Sequence, residues 1–217
     1  MNSSEAPTGG AGQIRWYFYC LALCLLSALA YWAGMENPFA YDDYMVVENN
    51  VLIRDISHIR QFWRGEISNS GEFNGHFRPL PMISLYLNYR IAGLNPWGYR
   101  LTNLILHMAC VLLFLHVARR LLSALPMVSG REPLGENQAR LAAWLAAALF
   151  AVHPIHSLSM LMVWKRTTVM AALFYLVALA AYLKLRGIGG QAEPEKRWIN
   201  KVAPAIVVVA AYTFALW

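Results

Sequence analysis

Uncharged apolar runs of bilayer-spanning length alternate along this chain with short connections that hold most of its lysine and arginine. Residues 16–34, WYFYCLALCLLSALAYWAG, carry no charge, follow Arg15, and have aromatic side chains at both ends, as membrane-interface belts do. A helix needs about 20 apolar residues to cross a hydrocarbon core, so this run predicts a first span. A cleaved signal peptide is the competing reading, but the run is long for one and the following Met35-Glu36-Asn37-Pro38-Phe39 is not a small-residue cleavage site. The same pattern predicts spans over 99–118, 141–163 and 167–185. A fifth, over 202–217, is short and reads as a span interrupted by the chain end. Residues 1–15 are mostly small and polar and read as a disordered tail, leaving 16–217 as one transmembrane domain.

The exception to short connections is 35–98, which holds seven of the twelve acidic residues: Glu36, Asp42, Asp43, Glu48, Asp55, Glu66 and Glu72. It is too long and too aromatic for a linker. Val51, Leu52, Ile53, Ile56, Ile59, Phe62 and Trp63 approach helical spacing and predict an interfacial amphipathic helix over 51–63. Residues 79–92 predict a second helix, and GLNPWG at 93–98 a turn. The expected fold class is therefore all-α: a polytopic helical membrane protein of about five transmembrane helices with a large extracytoplasmic first loop.

Composition agrees with the pattern. The chain is 58% hydrophobic and 14% charged with a mean hydropathy of +0.39, whereas soluble domains carry about 25% charged residues. The net charge of +6 does not point to nucleic acid, because the basic residues cap the ends of apolar runs. Arg15, Arg119, Arg120, Arg131, Arg140, Lys184, Arg186, Lys196, Arg197 and Lys201 fall on one side, against Lys165 and Arg166 in the one short loop opposite. By the positive-inside rule this places the N-terminus in the cytoplasm and loop 35–98 outside. A short polar tail without helical repeats favours a bacterial inner membrane with a periplasmic loop; in a eukaryote the endoplasmic reticulum would take its place. Cys20, Cys24 and Cys110 lie inside expected spans and form neither a disulfide framework nor a metal motif.

Three groups of residues carry candidate chemistry. Asp42 and Asp43, in FAYDDY, place paired carboxylates just beyond the first span, where mutual repulsion near lipid prepares a general base or a divalent-cation site; a solvated acidic turn or a helix cap is the alternative. Arg78, in HFRPLP beside His76, precedes a helix entering the membrane and suits a phosphate, or simply snorkels. His153 and His156, in AVHPIH, form a polar patch near the outer end of a span, followed by Lys165 and Arg166, which resist the topological bias and so suit an anion. The two histidines lack a third metal ligand, and no metal site is expected.

In this order, FAYDDYMVVENN, HFRPLPMISLYLNYRIAGLNPWGYRLTNLILH and LFAVHPIHSLSMLMVWKRTTVMAALFYL resemble the N-terminal portion of the transmembrane and tetratricopeptide-repeat proteins. These are membrane glycosyltransferases of the GT-C type, related to protein O-mannosyltransferases. The resemblance covers about residues 35–186. It implies transfer of a sugar from a polyprenyl-phosphate carrier to a protein or glycan acceptor on the outer face, with Asp42 as base, Asp43 orienting it or binding a cation, and Arg78, Lys165 and Arg166 on the donor phosphate. The chain departs from the family pattern where Ser157 and Leu158 follow His156 in place of Thr-Glu, where Arg100 stands for a histidine, and where Trp164-Lys165-Arg166 stands for a Gly-Arg pair. The lost acid favours a second reading, a non-catalytic accessory subunit packed against other membrane subunits. Membrane lipid surrounds the chain in either case.

Overall fold

In the computed structural model, which describes residues 9–69, 77–129 and 134–188, every regular element is helical. Helix α1 is Gly9–Tyr31, so residues 9–15 extend the first helix rather than belonging to a tail. A four-residue α2, Ile59–Phe62, and α3, Pro79–Ala92, lie in the long loop. Helix α4, Pro96–Ser129, is followed by α5, Glu136–Val152, the short α6, Ser157–Leu161, and α7, Arg166–Leu185. Three stretches are long and apolar enough to cross a membrane, Trp16–Gly34, Pro96–Ala124 and Val163–Leu185, and Glu136–Val152 with Pro154–Leu161 makes a fourth if a 41° bend is counted as one span. The protein is a polytopic helical membrane protein; the fifth expected span, 202–217, lies outside the described residues.

Two local expectations change. The helix expected over 51–63 is replaced by a turn after Val51, a 3-10 turn at Ile56–His58 and α2. The cause is side-chain competition for the backbone. Asn50 Oδ1 accepts the Leu52 N–H at 3.0 Å, and Asp55, in extended conformation, accepts the Ser57 N–H at 2.8 Å. The apolar residues of this segment divide: Leu52, Ile53 and Phe62 are buried with Val46, Val47, Ile67, Met82, Leu85 and Tyr99 in a compact core that also includes Val163 and Trp164, whereas Val51, Ile56 and Trp63 stay exposed. Asn50 ties this core together by donating to the carbonyls of Val46 and Ile67 at 2.9 and 2.7 Å.

The second change is in the span expected at 141–163. His153 is extended (φ −64°, ψ 128°) ahead of Pro154, as a residue before proline prefers, and α5 stops there. The chain breaks again at Met162 (φ −88°, ψ 118°) before turning into α7. Broken backbone inside a membrane must find polar partners within the protein. Helix α4 supplies them from one face, at Arg100, Asn103 and His107. Arg100 Nε donates to Leu161 O at 2.9 Å, Asn103 Nδ2 to Ser159 O and Met162 O at 3.1 and 3.2 Å, and His107 Nε2 lies 3.0 Å from Ala151 O. Tyr31 of α1 adds a bond to His153 O at 3.1 Å. Beneath the break, Ala139, Ala143, Ala147 and Ala151 line the buried face of α5, and the last three pack with Leu23 of α1 and Val111 and Leu115 of α4. Small side chains let these helices approach closely.

Candidate active site

The connection leaving α1 is held by one guanidinium. Arg100, 2% exposed, donates through Nη1 to Met35 O at 3.3 Å and to Asn37 O, and through Nη2 to Pro38 O at 2.7 Å, besides its bond to Leu161 O. Residues 35–38 are thereby fixed against the broken segment, just ahead of the paired aspartates. Tyr41 then adopts φ +53°, a left-handed conformation rare for an aromatic residue. Short turns bond Asp43 N to Ala40 O and Tyr44 N to Tyr41 O, both at 3.1 Å, and lead into a π-helical turn at Tyr44–Glu48.

This turn separates the two carboxylates. Asp43 is fully buried. Its Oδ2 accepts the Val163 N–H at 2.9 Å and its Oδ1 the Trp164 N–H at 2.8 Å, so it caps the backbone turn that opens α7. Burial pushes its carboxyl above the usual carboxylate range, while the two N–H bonds and the nearby Arg100 pull the other way. Asp42 is only half-buried and makes no such bond. With both Asp43 oxygens engaged by backbone, the pair does not offer two free carboxylates to a cation. Among the described residues no three His, Cys, Asp or Glu side chains converge as a metal site.

The basic residues separate in the same way. Arg166 is 1% exposed, and its Nε, Nη1 and Nη2 donate to Asn103 Oδ1 at 2.8 Å, Ser84 Oγ at 3.0 Å and Tyr99 O at 2.8 Å. It joins α3, α4 and α7 and is buried among these partners. Lys165 and Arg78 stay half-buried, and the Arg78 guanidinium stacks 5.4 Å from the Trp164 ring. Asp43, Trp164 and Arg78 thus bring the first motif, the third and the second to one junction, with Asp42 and Lys165 adjoining it in the chain.

His76 lies outside the described residues. His153 is exposed and uses Nδ1 to accept the Ile155 N–H at 3.2 Å, capping its own turn. The His156 ring packs 4.6 Å from Phe150 and 5.1 Å from His107. The histidine patch is therefore part of the α5 break. Arg100, Asn103 and His107 were the residues missed as a set; their signal was polar side chains at helical spacing inside an apolar run.

Curated relatives match most of the chain. Protein O-mannosyl-transferase Tmtc2 of Drosophila melanogaster is 31% identical over 199 residues, covering 89% of this chain and 19% of the relative. Protein O-mannosyl-transferase TMTC2 of Homo sapiens is 32% identical over 166 residues, 73% of this chain and 18% of its own length. The chain is a homologue of the Tmtc family. A third relative, Protein O-mannosyl-transferase Tmtc3 of Drosophila melanogaster, is 28% identical over 180 residues, 78% of this chain and 19% of the relative. The chain spans about a fifth of the length of these Tmtc relatives. All three come from animals and lend nothing to a bacterial inner membrane. No family model and no solved structure matches the chain.

Proposed function

We propose that the chain carries part of a glycosyltransferase site that moves a sugar, mannose by analogy with the relatives' names, from a polyprenyl-phosphate donor to a hydroxyl on a protein acceptor. The observation that supports it is the unequal use of the two aspartates: Asp43 is spent on the Val163 and Trp164 amides, at the junction where Arg78 stacks on Trp164 and Lys165 follows in the chain, while the adjacent Asp42 stays half-buried and outside those bonds. Asp42 takes the acceptor hydroxyl proton as that oxygen attacks the anomeric carbon. The bond from the anomeric carbon to the phosphate oxygen breaks, and the lipid phosphate leaves with the electron pair. Arg78 and Lys165 offset the charge that gathers on it. Arg166 acts at one remove, holding the helices on which Ser84, Asn103 and Tyr99 sit. The junction faces the side opposite the basic loops, outside the cytoplasm by the charge bias.

The test is transfer from polyprenyl-phosphate mannose to a serine- and threonine-bearing peptide by the protein in nanodiscs, wild type against Asp42→Asn. The proposal requires transfer in the wild type and a loss of at least about a hundredfold in the variant, the usual scale for removing a general base. Transfer unchanged in Asp42→Asn removes the assigned base. No transfer, together with recovery only in stoichiometric complex with other membrane subunits, favours the accessory reading.

A further inference from the structure

The far end of the helix bundle holds a second charged site. Arg100 and Arg119 both lie on α4, and the helical rise between them is about 28 Å, close to the thickness of a hydrocarbon core. Arg119 therefore reaches the membrane surface opposite Asp42 and Asp43. Arg120, Arg140, Lys184 and Arg186 gather at that same end, from α4, α5 and the end of α7.

Here α4 and α5 diverge around a cavity of about 240 Å³, walled by Arg119, Leu122 and Ser123 on one side and by Leu134, Glu136 and Arg140 on the other. Arg119 is steered into place by the ring of Trp16, 4.2 Å from its guanidinium. It has no carboxylate partner among the described residues, where the one ion pair is Arg140 with Glu136. Among the described residues, two arginines against one glutamate leave the cavity wall with one positive charge in excess, and the Ser123 hydroxyl at its rim donates to the Arg119 carbonyl at 2.8 Å. Arg120 does not contribute, because its Nε turns to His116 and its Nη1 to Ile188 O. Below the cavity α5 presents Leu141, Leu145 and Leu149 outward, 58%, 49% and 69% exposed, at four-residue spacing.

We infer that this cavity binds the headgroup phosphate of an anionic membrane lipid, whose acyl chain lies along Leu141, Leu145 and Leu149. The charge selects an anion, and the leucine track selects a lipid over a free phosphate. Basic cavities between membrane helices at the surface favour such headgroups. This site lies a bilayer away from the proposed transfer site, and its failure would leave that proposal standing.

The experiment is native mass spectrometry of the full chain released from nanodiscs of equal phosphatidylglycerol and phosphatidylcholine. Wild type should retain phosphatidylglycerol selectively. Each arginine near a membrane surface is worth enough that Arg140→Gln and Arg119→Gln should each lower retention about fivefold. Glu136→Gln should raise it, a change that damage to the fold would not produce. Arg186→Gln, at the same membrane face but outside the cavity, should leave it unchanged. Equal retention of both lipids, or wild-type retention in Arg140→Gln with its thermal midpoint intact, overturns the inference. Displacement of phosphatidylglycerol by inorganic phosphate at matched concentration would identify a free anion and overturn the lipid assignment.

Discussion

Asp43 and Trp164 stand 121 positions apart in the chain, yet the Asp43 carboxylate accepts the Trp164 amide N–H at 2.8 Å. With the bond to Val163, this one side chain docks the loop after the first span onto the turn that begins α7. The neighbouring Asp42 is left outside that bargain, and the two aspartates should behave as different residues when substituted.

Asp43→Asn replaces an acceptor oxygen with an NH2 group facing one of two buried N–H donors. Leaving a buried donor unsatisfied costs about 1–3 kcal/mol, so the thermal midpoint in detergent should fall clearly, whereas Asp42→Asn should hold it near the wild-type value. Equal midpoints for the two variants would remove the division of labour between them.

The same logic separates Lys165 from Arg166. Arg166→Lys keeps the charge but loses the fork that reaches Asn103, Ser84 and Tyr99, and it should lower stability by about 1–3 kcal/mol. Lys165→Met, at a half-buried position, should leave stability close to wild type and instead weaken polyprenyl-phosphate binding. Midpoints and donor affinity measured side by side distinguish these outcomes.

Arg100→Leu would strip the carbonyls of Met35, Asn37, Pro38 and Leu161 of a shared donor. Bonds to charged groups contribute about 1.5–3 kcal/mol each and are not additive, so this should be the most destabilising of the substitutions considered. Limited proteolysis should then cut between 35 and 41 faster than in wild type. Unchanged cleavage there would mean that the clamp does not hold the loop.

Ala147 is fully buried where α5 meets α1 and α4. Ala147→Leu forces extra methylene groups into that contact and should cost about 1–3 kcal/mol, whereas Ala→Leu at the half-buried Ala146 should cost less. A thermal midpoint that drops further in the first variant checks the packing of the alanine stripe.

Some of these relationships were legible in the residues. The breaks at Pro154 and Met162 had a visible cue in the first case, His-Pro inside an apolar run, and none in the second. Arg100, Asn103 and His107 recur at helical spacing in α4, a pattern that announces a buried polar face; its partner is visible only once the 151–163 backbone is seen to be broken. The segment from Val51 to Trp63 departs from its near-helical apolar spacing because Asp55, in extended conformation, takes the Ser57 N–H that a continuous helix would give to the Ile53 carbonyl.

The chain's own pattern of residues determined that it spans a membrane, roughly where it crosses, and which motifs carry ionisable groups, because hydrophobic length and the cost of moving charge into lipid are local properties. Only the tertiary structure decided that Asp43 and Arg166 are buried and satisfied while Asp42, Lys165 and Arg78 are not. Adjacent residues of like charge look alike in sequence, and the division between them arises from which side chain meets partners far along the chain: the Val163 and Trp164 amides for Asp43, and Asn103, Ser84 and Tyr99 for Arg166.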